Sequence, residues 1–263
     1  MRDVRRTFPS EPYFQAVCAP MLARILTAAA STRPDVGYCQ GMNFVTGLLV
    51  LARISEDFAL DTVFMASSGG LHSFMHIGGG SRRTDRPLMP CTDPEGNYVT
   101  FDSDACLRME CDVFWLLMSL LAPSSRLCMT GHWSPGVPKM RLRSYQFDRT
   151  LSWPLPTLHA HLDKIQLSAE VLASQWFIPL FSYTLPLYLT LHIWDYIFQG
   201  GWAAAFRVVM ALLSAAQVDL MACDLESMSA KMRCLDWQSF LDHACGKDPL
   251  GEGPEGRDDG RSV

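Results

Sequence analysis

The amino-acid sequence predicts an all-α protein, and three observations support that class. Apolar residues recur at helical spacing over most of the chain, and no long segment alternates between apolar and polar residues as a strand would. Proline repeatedly stands near the first turn of a predicted helix, where its missing N–H removes no hydrogen bond. Hydrophobic residues make up 49% of the 263 residues and charged residues 19%. We therefore expect a multi-helix domain with a sizeable core.

The first part of the chain predicts helices followed by a long segment without periodicity. The helices are predicted over 12–30, with a break or restart at Pro20, and over 42–53 and 57–67. Residues 69–103 contain GGGSRRTDRP and PCTDPEGN. So many glycine, proline and polar residues predict a loop insertion.

The second part of the chain predicts helices over 104–121, 154–165, 169–182, 186–198, 202–216, 219–231 and 236–245. Residues 123–152 are mixed and rich in helix breakers, and they carry no helix prediction. The tail over 246–263 is rich in glycine, proline and charge, so we expect it to be disordered. The predicted organisation is one domain over 1–245 followed by this tail.

Composition and motif searches exclude several classes of protein. The formal net charge of −5 argues against a nucleic-acid groove or a basic membrane patch. No apolar run reaches the roughly 18 residues of a membrane span without a charge, a proline or a polar break, so no transmembrane segment is predicted. Nine cysteines are scattered singly, without a C-x-x-C pair, which is typical of reduced thiols in a cytoplasmic protein. His72 and His76 lie four apart without a neighbouring Glu, so we predict no metal site.

The run PDVGYCQGMN, residues 34–43, joins a turn to an apolar helix. As an ordinary helix start it is a poor choice, because Asn, Asp or Ser caps a helix better than Gln. A glycine in the first turn is also unfavourable by about 1 kcal/mol relative to alanine. Glycine at 37 and 41 would let another backbone or a ligand approach closely, and the Gln40 amide can hold a water in one orientation. An ordinary helix start and a functional amide both remain open on these residues alone.

A second candidate is DVRRTFP, residues 3–9. It is either a solvated basic tip or an arginine presented from a loop. A guanidinium group is always charged and forks onto phosphate oxygens. Asp3 lies three residues before Arg6, where it could orient Arg6 or cap the local backbone. A segment so near the first residue frays unless it is tied down.

Two aromatic stretches complete the candidates: SQWFIPLFS over 174–182 and LHIWDYIF over 191–198. Both are best interpreted as aromatic core on packed helices. A buried tryptophan needs a partner for its N–H, and Asp195 could supply polar anchoring inside the bundle.

Taken in this order, the four stretches resemble motifs of the TBC domain, the Rab GTPase-activating module of eukaryotes. Residues 3–9 resemble the end of its I-x-x-D-x-x-R motif, and YCQGMN, residues 38–43, resembles its Y-x-Q motif. The two aromatic stretches resemble two of its later helices, and the similarity runs over about 3–213. The resemblance implies a multi-helix TBC-like fold that carries the long loop insertion.

The resemblance also implies a mechanism. In that family an arginine and a glutamine are catalytic fingers inserted into the nucleotide site of a partner GTPase. Carried over, Arg6 would be the arginine finger and Gln40 the glutamine finger that positions the attacking water, while Asp3 would orient Arg6 and Tyr38 would shape the loop. Both fingers act in trans, so the chain would be a GTPase activator and not itself a hydrolase.

The partner implied by the resemblance is a Rab-family small GTPase in its GTP-bound state. That partner carries the Mg²⁺ and the GTP, so no cofactor of this chain is expected. The implied setting is the cytoplasm and vesicle trafficking, with peripheral recruitment to endomembranes left open.

Departures from the family pattern keep other interpretations open. Family domains normally begin well before the arginine motif, so the N-terminal supporting helices are expected to be missing, and the motif's Ile is absent. Arg5 competes with Arg6 for the finger, although the register favours Arg6. The alternative function is a catalytically inactive TBC-like scaffold that binds a small GTPase or another partner, and a third is a helical protein unrelated to GTPases.

Overall fold

The computed structural model of the chain describes residues 2–62 and 103–234. Over these residues the structure is helical and contains no strand, which confirms the all-α class. After a 3₁₀ turn over Val4–Arg6 and a π-helical turn over Phe14–Cys18, the helices are α1 Ala19–Thr32, α2 Met42–Thr62, α3 Ser103–Leu121, α4 Thr130–Trp133, α5 Pro138–Ser152, α6 Pro156–Lys164, α7 Ala169–Phe177, α8 Leu187–Met221 and α9 Leu225–Cys234. The predicted loop insertion, the helix over 236–245, the tail, and His72 and His76 lie outside the described residues, apart from Ser103 at the start of α3.

The predicted break at Pro20 is a change of helix type. Pro20 occupies the first turn of α1, and the π-helical turn Phe14–Cys18 leads directly into it. Proline has no N–H to donate and is therefore tolerated in this first turn, so the chain stays helical from the π-helical turn into α1. The helices predicted over 42–53 and 57–67 are one helix, α2, as far as Thr62. Residues 54–56 contain no glycine or proline that would separate them.

Helix α5 lies in the region of 123–152 for which no helix was predicted, and this is a correction to the sequence analysis. Pro138 and its neighbours were counted as breakers, yet Pro138 stands in the first turn of α5, where proline is tolerated. Val137 just before it is left-handed, with φ 41°. The breakers therefore mark the entry to a helix and not its absence.

The two helices predicted over 186–198 and 202–216 form one long element, α8, with a kink. Gly201 has φ 63° and ψ −149°, a conformation open to glycine and strained for other residues. Helix α7 ends at Phe177, five residues before the predicted end at Ser182. Leu180 and Phe181, with φ 45° and 69°, turn the chain sharply there.

The core is aromatic where the sequence predicts it. Helices α1, α2 and α3 pack on one another, and α5 packs on α7. Trp176, Phe177 and Phe181 of the segment 174–182 are fully buried. The Trp194 indole N–H donates to the Leu180 carbonyl at 2.7 Å and not to Asp195, whereas the buried Trp176 N–H has no hydrogen-bond partner among the described residues.

Two helical stretches of the described residues, Phe14–Thr32 and Leu187–Met221, are long and apolar enough to cross a membrane by length and composition. Core helices of a folded domain meet the same criterion, and residues of both stretches belong to the core here. The sequence-based expectation of no transmembrane segment stays a prediction.

Candidate functional site

An open groove of about 930 Å³ brings three of the predicted site residues together. Asp3, Arg6 and Gln40 all line it, although Arg6 and Gln40 are far apart in the sequence. The walls come from residues 3–11, from the start of α2, and from α7 with the loop that leads to α8. Arg6 lines the groove, whereas Arg5 is exposed and is not part of the groove lining; the choice of Arg6 as the finger stays a prediction.

The arginine segment presents Arg6 from the 3₁₀ turn Val4–Arg6. The Arg6 backbone N–H donates to the Asp3 carbonyl at 3.1 Å, and the Arg6 guanidinium pairs with the Asp3 carboxylate. The Arg6 side chain is 68% exposed and that of Asp3 only 19%. A well-placed carboxylate therefore holds a guanidinium that stays accessible from the groove.

The chain after Arg6 is tied to the core. Thr7 is fully buried, and the Gln15 amide donates to its carbonyl at 2.6 Å. The Phe8 ring packs edge-on against Phe14 and Phe44, with centroids 5.2 and 5.8 Å apart. These contacts supply the anchoring that a segment near a terminus needs to stay ordered.

The glutamine segment is fixed through its backbone. Gly41 has φ +112°, and a Cβ placed there would lie 2.6 Å from Ile178 Cγ2. Ile178 belongs to the opposite wall of the groove, so only glycine at position 41 allows these two segments of the chain to approach so closely. Gly37 also has a positive φ, +64°, but open space surrounds its Cα. Gln40, between these glycines, is exposed.

Asn43 connects the two segments, and the sequence analysis did not single it out. It is 1% exposed. Its Oδ1 accepts from the Gly41 N–H at 3.0 Å, and its Nδ2 donates to Thr7 Oγ1 at 2.8 Å. Thr7 Oγ1 in turn donates to the Asp3 carbonyl at 2.9 Å. A polar residue in the run of apolar positions that opens α2 was the sequence feature that could have identified it.

Tyr38 makes a second connection. Its hydroxyl donates to Asp3 Oδ2 at 2.8 Å and lies 3.2 Å from Asn43 Oδ1. The sequence analysis expected Tyr38 to shape the glutamine loop, and the structure shows that it also contacts the carboxylate that holds Arg6. Asp3 and Tyr38 therefore belong to the same hydrogen-bonded cluster.

Hydrogen bonds and burial set the protonation states of the groups in this cluster. The hydrogen bond from Tyr38, followed by that from Arg6, lowers the pKa of Asp3 below its ordinary value of 3.8. Burial, followed by the hydrogen bond to Asp3, raises the pKa of Tyr38. At neutral pH the cluster therefore holds an ionised Asp3 and a protonated Tyr38. Burial also raises the pKa of Cys39, which disfavours a thiolate nucleophile beside Gln40.

Helix α7 and the turn after it form the wall opposite Gln40, and sequence reasoning assigned this segment to the core alone. The structure divides it into two faces. Trp176 and Phe177 face the core, while the groove is lined by Ser174, Gln175, Ile178, Pro179 and Ser182. Sorting the segment by helical spacing separates these two sets and could have found the second.

The arrangement displays a permanent cation and a neutral amide on one accessible surface. An arginine can neutralise charge on phosphate oxygens, and a glutamine amide can orient a water through its donor and its acceptor. Among the described residues no group of three or more His, Cys, Asp or Glu could hold a metal ion.

The sequence of this chain is similar to those of proteins of one known family. The family model of the Rab-GTPase-TBC domain matches residues 1–221. The chain is 27% identical over 225 residues to mouse TBC1 domain family member 4, and 25% identical over 229 residues to Rab GTPase-activating protein tbc-11 of Caenorhabditis elegans. These matches cover 84% and 86% of this chain but only 13% and 18% of the two relatives.

The crystal structure of the Ypt/Rab-GAP domain of Gyp1p has a similar fold. The TM-score is 0.65 at 20% sequence identity, and the match covers 88% of this chain and 64% of that chain. This similarity confirms the predicted multi-helix fold.

Proposed function

Because this chain belongs to the Rab-GTPase-TBC domain family, we propose that it accelerates GTP hydrolysis by a Rab-family small GTPase. Arg6 and Gln40 act in trans on a GTP-bound partner, which carries the GTP and the Mg²⁺. The chain supplies no cofactor of its own. It works in the cytoplasm, at the surface of endomembranes, and switches off a GTPase of vesicle trafficking.

One observation carries this proposal: Arg6 and Gln40, from different parts of the sequence, line one open groove. The segments that carry them are connected by hydrogen bonds that run from Asp3 through Thr7 and Asn43 to Gly41. Phosphoryl transfer needs little covalent chemistry from the protein, since catalysis comes from positioning and charge stabilisation. The groove presents one group suited to each task.

Arg6 would stabilise the negative charge that spreads over the transferred phosphoryl group. An arginine finger typically raises the rate by about 10³–10⁵-fold, which corresponds to roughly 4–7 kcal/mol of barrier. Asp3 pairs with the guanidinium, which reduces the number of rotamers that Arg6 samples before it meets phosphate oxygens. Asp3 and Tyr38 are positioning residues in this mechanism.

Gln40 would hold the attacking water through its amide. The backbone that follows it is fixed by the hydrogen bond from Gly41 to Asn43, while the amide itself projects from an exposed position. A partner surface can therefore reach the amide without displacing the loop. No proton transfer to Gln40 is needed, because an amide orients water through hydrogen bonds alone.

Single-turnover GTP hydrolysis by a panel of GTP-loaded Rabs tests the proposal. The parent chain should accelerate at least one Rab, and Arg6→Ala and Gln40→Ala should each remove most of that acceleration. Arg5→Ala is the matched control: it removes an exposed arginine next to Arg6 that does not line the groove.

Two outcomes would contradict the proposal. A folded parent chain, checked by circular dichroism, that accelerates none of the Rabs would instead favour an inactive scaffold that binds its partner. Full activity in both Arg6→Ala and Gln40→Ala would remove the two-finger assignment even if the Rab were correctly identified.

A further inference from the structure

The outer face of helix α5 exposes large apolar side chains in one stripe. Leu142 and Tyr145 are 51% and 65% exposed, and Trp153, which directly follows the last residue of α5 and keeps helical backbone angles, is 90% exposed. With Arg149 they follow helical spacing, at 142, 145, 149 and 153, and so share one face. The buried residues of α5 occupy the opposite face: Met140, Ser144, Phe147 and Leu151. Single exposed apolar residues are ordinary, but a contiguous set marks an interaction surface.

This stripe is basic on an acidic protein. Lys139, Arg141 and Arg149 are exposed along α5, while the chain as a whole carries a formal charge of −5. Among the described residues neither Arg141 nor Arg149 has an acidic ion-pair partner. The one acidic residue of α5, Asp148, accepts from His159 Nε2 at 2.8 Å. The positive charge of this face is therefore not neutralised within the described structure.

Helix α3 offers an internal contrast. It also exposes large apolar residues, with Leu107 at 60% and Trp115 at 68%. Apart from Arg108 its charged residues are acidic, and two of them, Glu110 and Asp112, pair with arginines of α1 and α2. Apolar exposure is therefore shared by the two helices, whereas a positive surface is found on α5.

We propose that the outer face of α5 docks on an anionic lipid membrane. Tryptophan and tyrosine prefer the interface of a bilayer, where the ring is partly buried and the polar edge stays wet. Basic residues beside them are attracted to anionic headgroups, and apolar contact together with this attraction is how a helix lies on a membrane surface. Trp153, Tyr145 and Leu142 supply the inserted groups, and Arg141 and Arg149 the charge.

The position of α5 keeps this surface apart from the groove. Helix α7 lies between them: Phe147 of α5 contacts Trp176 and Phe177, while Ser174 and Gln175 on the other side of α7 line the groove. A membrane against α5 would leave the groove open to a partner. The inference uses no residue of the groove and stands independently of the proposed GTPase activity.

Co-sedimentation with large unilamellar vesicles tests the inference, using the full chain. One set of vesicles is phosphatidylcholine alone and the other an equimolar mixture with phosphatidylserine. Each basic residue near an anionic surface strengthens binding about fivefold, so Arg149→Glu should weaken binding to the mixed vesicles at least about fivefold. Trp153→Ala should weaken it and should also remove the shift in tryptophan emission that the vesicles cause.

Two matched controls come from α3. Trp115→Ala removes a similarly exposed tryptophan, and Arg108→Glu changes the net charge by the same amount as Arg149→Glu. Both should bind like the parent. Because all four positions are exposed, the variants should keep the parent's circular dichroism spectrum.

Three results would overturn the inference. The first is equal binding to both kinds of vesicle or to neither. The second is an equal loss in the α3 and α5 variants, which would indicate a general charge effect. The third is a concentration-dependent dimer that Trp153→Ala dissociates, without vesicle binding, since α5 would then dock on a second copy of the chain.

Discussion

The two segments that meet in the groove are held in different ways. Arg6 is held by its own side chain, through the ion pair with Asp3, on a short turn that Phe8 anchors in the core. Gln40 is held by the backbone around it, where Gly41 passes close to Ile178 and donates to Asn43. The cation is thus aimed by a neighbouring charge and the amide by the shape of the chain. Changes in charge should disturb the arginine segment, and changes in backbone shape the glutamine segment.

The largest effect is expected for Gly41→Ala. The new Cβ meets Ile178 Cγ2 at 2.6 Å and enforces a strained φ, so the loop must move. A shift of about 1 Å in a catalytic group lowers the rate about 10²-fold, and we expect a loss of that order in GTPase acceleration. Gly37→Ala is the control, because it adds strain at positive φ but meets no atom within 4 Å. Equal losses in the two variants would show that the close approach to Ile178 is unimportant.

The second-largest effect is expected for Asn43→Ala, which removes the hydrogen bonds that connect the two segments. The buried Gly41 N–H and Thr7 hydroxyl each lose a partner. Leaving buried polar groups unsatisfied destabilises a fold by about 1–3 kcal/mol, measurable as a lower urea midpoint. A cycle with Thr7→Val should be non-additive, since both changes remove the same hydrogen bond. Additive losses would mean that Asn43 does not couple the segments.

A smaller effect is expected for Asp3→Ala, which should act on the arginine segment alone. Arg6 keeps its charge but loses the carboxylate that holds it, so GTPase acceleration should fall about tenfold, the loss expected for one charged hydrogen bond. Combining Asp3→Ala with Arg6→Ala should add little to Arg6→Ala. A further large loss in the double variant would place the role of Asp3 elsewhere, for example on Tyr38.

The smallest effect is a pH dependence that Asp3 contributes. Its pKa is lowered in the folded chain, so its carboxylate stabilises the fold above the ordinary value of 3.8. That contribution is lost as the pH falls through the lowered folded pKa. Urea unfolding at decreasing pH should therefore show a shallower acid loss in Asp3→Asn than in the parent. Parallel curves would show that Asp3 is not linked to folding.

Parts of this comparison were readable from the sequence, and parts were not. The charges and hydrogen-bonding groups of the residues at positions 3, 6, 38 and 40 follow from their types. The glycine at 41 predicts that another part of the molecule approaches the backbone closely. Which atom approaches Gly41 depends on a helix more than 130 residues later, and no local pattern reports it. Asn43 and Thr7 act through contacts between distant segments, so their role appears only in three dimensions.

In the fold as well, some elements could be predicted from the sequence and others could not. Helices with strong apolar periodicity, such as α3, were predicted within a residue or two. Helix α5 was missed because proline and glycine surround its start and because its outer face mixes apolar with basic residues, which obscures the helical periodicity. A breaker before a helix and a breaker within a loop look alike until tertiary contacts decide between them. The sequence predicted the groove residues of α7 only as core, because aromatic residues dominate that stretch.

Helix α7 is only nine residues long, and it is the wall between two environments. Phe177 contacts Phe147 and Trp202 on the inside, with ring centroids 6.2 and 5.4 Å apart, and Ile178 borders the groove on the outside. We therefore expect a change in the volume of the side chains that pack on the inner side of α7 to change the width of the groove. Libraries that vary Phe147 and Trp202 could retune which GTPase the groove admits while every residue that touches the partner keeps its identity.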